Sequence, residues 1–235
     1  MSSHSAVYDS EYGDPPVKLV IFDCDGVLID SEIISLKVLK GLLADLGVEL
    51  DNAYFTREFL GRSFSRVKQA VKDDFNVILP DEFEQQYLNK LIQVFDQQLA
   101  PVDGIKQVLS QLNIPFCVAT SSHRERTDRA LKATGLTDYF GRHIYTASQV
   151  KRGKPEPDLF LFAANQHQVQ AQNCLVIEDS MSGLQAGIAA GMQVWHFQGG
   201  SHMPSSIADF SLPQGISRVI SHWSQFFNVH PELHK

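Results

Sequence analysis

Cysteine is scarce in this chain of 235 residues, which contains only three, Cys24, Cys117 and Cys174. Their odd number argues against a disulfide framework, and their spacing matches no zinc-binding pattern. Each lies within or beside a short apolar run, so we expect buried, reduced thiols in a cytoplasmic protein. The nine histidines are scattered and form no helical ligand pair, so we assign no metal to them.

Long hydrophobic runs and clusters of basic residues are also missing. No run approaches the ~18 apolar residues of a membrane span. Residues 1–17 lack the basic start and apolar core of a signal peptide, and we expect them to form a flexible extension. The net charge is −7 and the pI is about 5.7. Since no long basic patch occurs, we expect neither nucleic acid nor membrane as a partner.

Two kinds of pattern are present: short apolar runs bounded by turn residues, and longer segments with apolar residues at helical spacing. The short runs predict the strands 19–22, 116–119, 143–146, 174–177 and 193–197. Strands that alternate with helices indicate a parallel α/β sheet with right-handed crossovers. Residues 31–98 show helical patterns only, so we expect a small helical unit inserted after the first strand.

Capping and helix-breaking residues set the helix boundaries. Ser31 and Ser180 are suited to be N-caps, and Asp81 with Glu84 resembles a capping box. The predicted helices are 32–46, 55–60, 64–75, 82–98, 105–112, 124–134, 158–167, 181–190 and 216–227.

Two carboxylates follow the first strand. Asp23 and Asp25 come directly after Phe22, and at this spacing on an extended segment both point the same way. Like charges this close repel, so the pair requires a cation or a shared proton. A strand that simply ends at a polar turn is the alternative for an isolated D-x-D-G pattern.

Polar residues at the ends of the other predicted strands, and in a loop between them, favour a functional site at Asp23 and Asp25 over a simple polar turn. Thr120 and Ser121 follow the second strand, Glu178 and Asp179 end the fourth, and Lys154 lies in a loop between them. The carboxyl ends of parallel strands share one edge of a sheet, so these groups can converge. Carboxylate oxygens suit Mg²⁺, and Lys154 with Thr120 suits phosphate oxygens. A carboxylate can also attack phosphorus.

The chain resembles the haloacid dehalogenase superfamily of phosphotransferases. Four motifs occur in the family's order: D-C-D-G-V-L-I-D-S-E, A-T-S-S, G-K-P-E-P-D and I-E-D-S-M-S-G. The resemblance implies a Rossmann-like core, residues 18–30 and 99–235, whose parallel strands lie in the order 5-4-1-2-3. The helical unit, residues 31–98, looks like the family's C1-type cap domain.

The resemblance also implies roles for the strand-end residues. Asp23 would be the nucleophile that forms an aspartyl-phosphate, and Asp25 would be the general acid/base that carries the proton. Lys154 would stabilise Asp23 and the transferred phosphoryl group. Thr120 and the backbone N–H of Ser121 would bind the phosphate.

A Mg²⁺ site is implied by the same motifs. Asp23, Asp179 and the backbone carbonyl of Asp25 would be its protein ligands, and Glu178 would bind the metal directly or through water. Arg62 either holds the distal part of the substrate or is an ordinary exposed arginine. For His123 a solvated helix start is favoured over a substrate contact.

Within the family, the sequence favours a phosphatase of small phosphorylated metabolites such as sugar phosphates, phosphoglycolate or 6-phosphogluconate. Dehalogenases of this fold lack the second aspartate, which is present here as Asp25. β-Phosphoglucomutases, the main alternative, carry a cap histidine and a cap arginine where this chain has Ser35 and Phe64. A non-catalytic phosphate-binding module would have a broken catalytic position, and none is broken. We expect a monomer, with a dimer as the alternative.

Overall fold

The computed structural model describes residues 15–59, 62–203 and 212–235, so most of the predicted N-terminal extension lies outside the described residues. Six parallel strands form one sheet in the order β3-β2-β1-β4-β5-β6. This confirms the predicted order and adds one strand beyond β5. The strands are β1 (Leu19–Phe22), β2 (Phe116–Thr120), β3 (Ile144–Thr146), β4 (Cys174–Glu178), β5 (Gln193–Phe197) and β6 (Arg218–Ile220).

The sheet is covered on both faces, which explains why its central strand is a continuous apolar run. Val20 and Phe22 of β1 point into one hydrophobic cluster, and Leu19 and Ile21 point into another. The helices are α1 (Glu32–Ala44), α2 (Asn52–Glu58), α3 (Phe64–Phe75), α4 (Phe83–Gln98), α5 (Ile105–Gln111), α6 (Arg124–Ala133), α7 (Thr137–Phe140), α8 (Asp158–Gln166), α9 (Met181–Ala189) and α10 (Phe226–Val229).

Helices α1 to α4 follow β1, no strand lies between them in the described residues, and we refer to residues 32–98 as the helical insertion. Its helices enclose a third hydrophobic cluster, which includes Leu43, Phe55, Val71 and Phe83. Phe95, near the end of α4, belongs instead to a cluster against the sheet. The insertion therefore has its own core and is anchored to the α/β core through α4.

The capping box predicted from Asp81 and Glu84 is wrong, and the N-cap predicted at Ser31 is confirmed in position only. Ser31 stands at the N-cap position of α1 but accepts no capping hydrogen bond, and its hydroxyl donates elsewhere. Glu82, not Asp81, precedes α4, and its side chain makes no cap bond. Helix α2 begins earlier than predicted because Asp51 accepts a bond from the backbone N–H of Tyr54, 2.6 Å away.

The predicted last helix, 216–227, is also wrong. Residues 218–220 pair with β5 as β6, and only Phe226–Val229 is α-helical in this part of the chain. Trp223 is buried, stacks on Phe197 with ring centroids 4.5 Å apart, and donates from its indole N–H to the carbonyl of Val27. The pairing of β6 with the edge of β5 and the contacts of Trp223 outweigh the helical spacing of the apolar residues in 216–227.

The last residues of the predicted extension contact the core. Val17 is buried, and the side chain of Gln193 donates to the carbonyl of Pro15 over 2.6 Å. Among the described helices, none combines the length and the apolar character needed to cross a bilayer.

Candidate active site

The carboxyl ends of β1, β2 and β4 face the helical insertion across a cavity of about 590 Å³. Parallel strands expose their loops at this edge of the sheet, where α/β proteins bind ligands. Every residue predicted for the site lines this cavity: Asp23, Asp25, Arg62, Thr120, Ser121, Lys154, Glu178 and Asp179.

Lys154 lies at the centre of the polar contacts. Its Nζ donates to Oδ1 of Asp23 at 2.5 Å, to Oε1 of Glu178 at 2.7 Å and to the carbonyl of Ala119 at 2.9 Å. Its side chain is only 1% exposed, so Lys154 is not a surface lysine. Burial alone would lower the pKa of Lys154, but the carboxylates of Asp23 and Glu178 raise it above its ordinary value. The side chain is therefore a fixed positive charge between two acids.

Three acids form a cluster beside this lysine. Asp23, Glu178 and Asp179 each offer a carboxylate oxygen, and these oxygens lie within 4.8 Å of one another. Burial raises the pKa of Asp23 and of Asp179 well above the ordinary value, and Lys154 only partly offsets it. Oδ2 of Asp179 is buried and accepts no hydrogen bond from the described residues. Hard oxygen ligands and excess negative charge fit a divalent cation such as Mg²⁺.

Local backbone geometry orients Glu178. The backbone N–H and the hydroxyl of Ser180 donate to its Oε2 at 2.8 and 2.9 Å. Ser180 also accepts from the N–H of Gly183 at 3.2 Å, which confirms it as the N-cap of α9. A β-carbon at Gly183 would lie 1.7 Å from Oε1 of Glu178, so this carboxylate occupies the space that the glycine leaves.

Asp25 belongs to a separate network of donors. Ser31 donates to its Oδ1 at 2.5 Å, while Ser122 and Arg126 donate to its Oδ2 at 2.7 and 2.6 Å. Burial raises the pKa of Asp25, but Arg126 and the two hydroxyls outweigh it and hold the pKa below its ordinary value. This arrangement favours the carboxylate form of Asp25, which can act as a general base. To act as a general acid, as also predicted, Asp25 must first take up a proton.

Arg126 was missed by the sequence analysis, although a signal was present. It lies four residues before Ala130 on α6, on the face that also buries Leu131 and Thr127. An arginine on the buried face of a helix requires a partner. Here the partner is Asp25.

His202 and Glu32 were also missed. Nε2 of His202 lies 3.1 Å from Oδ2 of Asp179 but is not aligned for a hydrogen bond. The ring fits there because Gly26, with φ +75°, lacks a β-carbon that would collide with Asp179 and His202. Glu32, the first residue of α1, is buried beside the cavity, and burial raises its pKa to about 8. A Gly-Gly loop and a helix start gave no sequence signal for either residue.

The remaining predicted residues lie at the wall of the cavity. The hydroxyl of Thr120 is buried and accepts from the backbone N–H of Ser122 at 3.1 Å. His123 is exposed and pairs with Glu84 of α4, with Nε2 and Oε1 2.8 Å apart. Arg62 precedes α3 and is half-buried.

Comparisons with known proteins identify the family of this chain. A family model described as haloacid dehalogenase-like hydrolase matches residues 17–191. The 6-phosphogluconate phosphatase of Escherichia coli (strain K12) is 29% identical over 187 residues, which cover 79% of this chain and 85% of that protein. The (DL)-glycerol-3-phosphatase 2 of Arabidopsis thaliana is 31% identical over 189 residues, which cover 74% of this chain and 77% of that protein.

A solved structure resembles the whole described fold. It is a HAD family hydrolase from Deinococcus radiodurans R1, described with bound phosphate and sodium. It is 33% identical, superposes with a TM-score of 0.73, and the match covers 93% of this chain and 96% of that one.

Proposed function

Since the chain belongs to the haloacid dehalogenase-like hydrolases, we propose that it is a Mg²⁺-dependent phosphatase of small phosphorylated metabolites. One observation carries the proposal: Lys154 is held between Asp23 and Glu178, next to Asp179, and all four residues line the cavity between the sheet edge and the helical insertion. That set combines a nucleophile, a counter-charge for phosphate and a divalent-cation site. The phosphatase relatives support it.

Asp23 is the proposed nucleophile. Its free carboxylate oxygen attacks phosphorus, the ester P–O bond breaks, and the leaving oxygen takes a proton from the acid form of Asp25. The resulting Asp25 carboxylate then removes a proton from water. That water attacks the aspartyl-phosphate and releases inorganic phosphate, which restores the Asp23 carboxylate.

The other residues supply binding and charge. Asp23, Asp179, Glu178 (directly or through water) and the backbone carbonyl of Asp25 would hold Mg²⁺. The bound ion would neutralise charge on the acids and on the phosphoryl oxygens. Lys154 keeps Asp23 in place. Thr120 with the backbone N–H of Ser121 and the lysine would bind the phosphate oxygens.

The helical insertion, together with Ser31, is the proposed cap domain, residues 31–98, and it lies over a core formed by residues 18–30 and 99–235. It closes the cavity over a substrate and excludes water. A cavity of about 590 Å³ suits a small ester such as a sugar phosphate, phosphoglycolate or 6-phosphogluconate. Arg62, on the wall that the insertion contributes, would contact the distal part of the substrate.

A panel of small phosphate esters, together with p-nitrophenyl phosphate, tests the proposal. We expect inorganic phosphate to be released with Mg²⁺ and not with excess chelator. Turnover that does not depend on metal would contradict the proposed chemistry.

Mutase activity is the second candidate because of the fold and the first motif. Ser35 stands where mutases carry a cap histidine, so this position supplies no imidazole, and its hydroxyl instead accepts a hydrogen bond from Arg126. The missing histidine favours hydrolysis. Incubation with β-glucose 1-phosphate and a trace of the corresponding bisphosphate distinguishes a mutase from a phosphatase. Glucose 6-phosphate would accumulate with a mutase, and inorganic phosphate with a phosphatase.

A further inference from the structure

We infer that Arg126 is a positioning residue for proton transfer, which fixes the Asp25 carboxylate and ties it to the helical insertion through Ser35. The inference rests on the proposed function, in which Asp25 exchanges the proton. It adds a residue from the second half of the chain to the acid/base step.

The first observation is the contact between Arg126 and Asp25. Nη1 of Arg126 lies 2.6 Å from Oδ2 of Asp25, and the two side chains are 12% and 11% exposed. Ser31 donates to the other oxygen, Oδ1. Both oxygens of Asp25 are therefore held by donors, which sets the direction of the carboxylate.

The second observation is that the same guanidinium reaches the helical insertion. Nη2 of Arg126 donates to Oγ of Ser35 on α1 at 3.1 Å, and the guanidinium carbon lies 5.5 Å from the ring centroid of Phe95 on α4. A planar guanidinium can bridge two acceptors in fixed directions, which an ammonium group cannot do equally well. Arg126 thus links Asp25 to two helices of the insertion.

If these contacts position Asp25, their loss should mainly affect protonation of the leaving oxygen. Protonation of the leaving oxygen matters most for poor leaving groups such as alkyl alcohols. It matters little for p-nitrophenolate, which leaves as an anion. Because kcat/KM reports the steps up to formation of the aspartyl-phosphate, the ratio of kcat/KM for an alkyl ester to that for p-nitrophenyl phosphate measures the protonation step.

The test compares this ratio in the wild type and Arg126→Gln. A misplaced Asp25 should lower kcat/KM for the best alkyl phosphate about 100-fold, and that for p-nitrophenyl phosphate less than about 10-fold. Arg126→Lys should recover part of the loss. Arg129→Gln removes an exposed arginine from the same helix and should leave the ratio unchanged.

A double mutant tests whether Arg126 acts through Asp25. If it does, Arg126→Gln added to Asp25→Asn should change the ratio by less than about 2-fold, because the effects of coupled residues do not add. Equal losses for both substrates, or additive effects, would overturn the inference and leave a structural role. A higher KM for substrates with a second anionic group, at an unchanged ratio, would also overturn it and indicate substrate binding.

Ser35→Ala keeps the Arg126–Asp25 ion pair and removes only the hydrogen bond between Arg126 and α1. It therefore provides a second test if Arg126→Gln does not fold. It should shift the ratio in the same direction, by a smaller factor, and an unchanged ratio would refute the tie. The proposed function fails separately, if the wild type releases no phosphate with Mg²⁺. An active wild type that Asp25→Asn impairs, with a ratio unchanged in Arg126→Gln, overturns the inference alone.

Discussion

Nζ of Lys154 lies 2.5 Å from Oδ1 of Asp23, and both side chains are buried. The lysine also holds Glu178, so one positive charge serves two acids at the end of different strands. This contact joins the loop before α8 to β1 and β4, and it places the proposed nucleophile.

Replacing Lys154 with methionine should therefore destabilise the fold. Two buried acids would lose their partner, and breaking a buried pair costs about 3–5 kcal/mol. Urea unfolding at neutral pH with chelator present measures this loss. Arg152→Gln, which removes an exposed ion-pair partner two residues earlier, should leave the free energy of unfolding nearly unchanged. Equal stability of the two variants would contradict the structure.

Gly183→Ala should also be destabilising, although alanine favours helices. The added carbon would lie 1.7 Å from Oε1 of Glu178, so the carboxylate or α9 has to move. Such crowding costs about 1–3 kcal/mol, and activity should fall as Glu178 is displaced.

Gly41→Ala is the matched control, since it makes the same change in the exposed interior of α1. Apart from its chain neighbours and the backbone of its own helix, no described residue places an atom within 4 Å of its added carbon. It should stabilise the fold by about 0.5–1 kcal/mol. Thermal unfolding measures both changes. If both variants changed stability in the same direction, the predicted collision between a β-carbon at position 183 and Glu178 would be contradicted.

Glu32 should make stability depend on pH. Burial raises its pKa from 4.5 to about 8 in the folded state. The folded state therefore binds this proton more tightly, so the stabilisation is complete below pH 4.5 and is lost as the pH rises towards 8. In Glu32→Gln this loss, of the order of a few kcal/mol, should disappear.

Urea unfolding at several pH values with chelator present measures this dependence. The variant should gain stability over the wild type as the pH rises. Glu49→Gln, which makes the same change on an exposed side chain, is the control. A wild type and a Glu32→Gln variant with parallel pH profiles would rule out the assignment.

Mg²⁺ should stabilise the wild type against unfolding. An ion that binds only the folded state adds about 2.7 kcal/mol at a concentration 100 times its Kd. Asp179→Asn should remove most of the rise in Tm, because Oδ2 of Asp179 is the buried acceptor left without a donor among the described residues. Asp128→Asn alters an exposed carboxylate and should keep the full rise. An equal rise in both variants would place the ion elsewhere.

Local patterns were sufficient to predict the core of the fold. The apolar run of β1 is buried on both faces, and Asp23 follows it directly, so sequence alone located the strand and the acid. Topology then predicted that Lys154 and Asp179 meet Asp23, because parallel strands share one carboxyl edge.

Tertiary contacts decided what the sequence could not. Ser31 was predicted as a helix cap but donates to Asp25, a choice fixed by Arg126 and Ser122 approaching from α6 and its preceding loop. His202 reaches Asp179 only because the loop after β5 folds back over Gly26. The apolar residues of 216–227 have helical spacing, but residues 218–220 form a strand because they pair with the edge of β5.

Acid-quenched mass spectrometry tests the central claim, the nucleophilic role of Asp23, most directly. The enzyme is mixed with Mg²⁺ and excess substrate, quenched during turnover and digested. The peptide that contains Asp23 should gain the mass of one phosphoryl group, and Asp23→Asn should show neither this gain nor turnover. Full turnover by Asp23→Asn, or a phosphoryl group on another peptide only, would contradict the assignment.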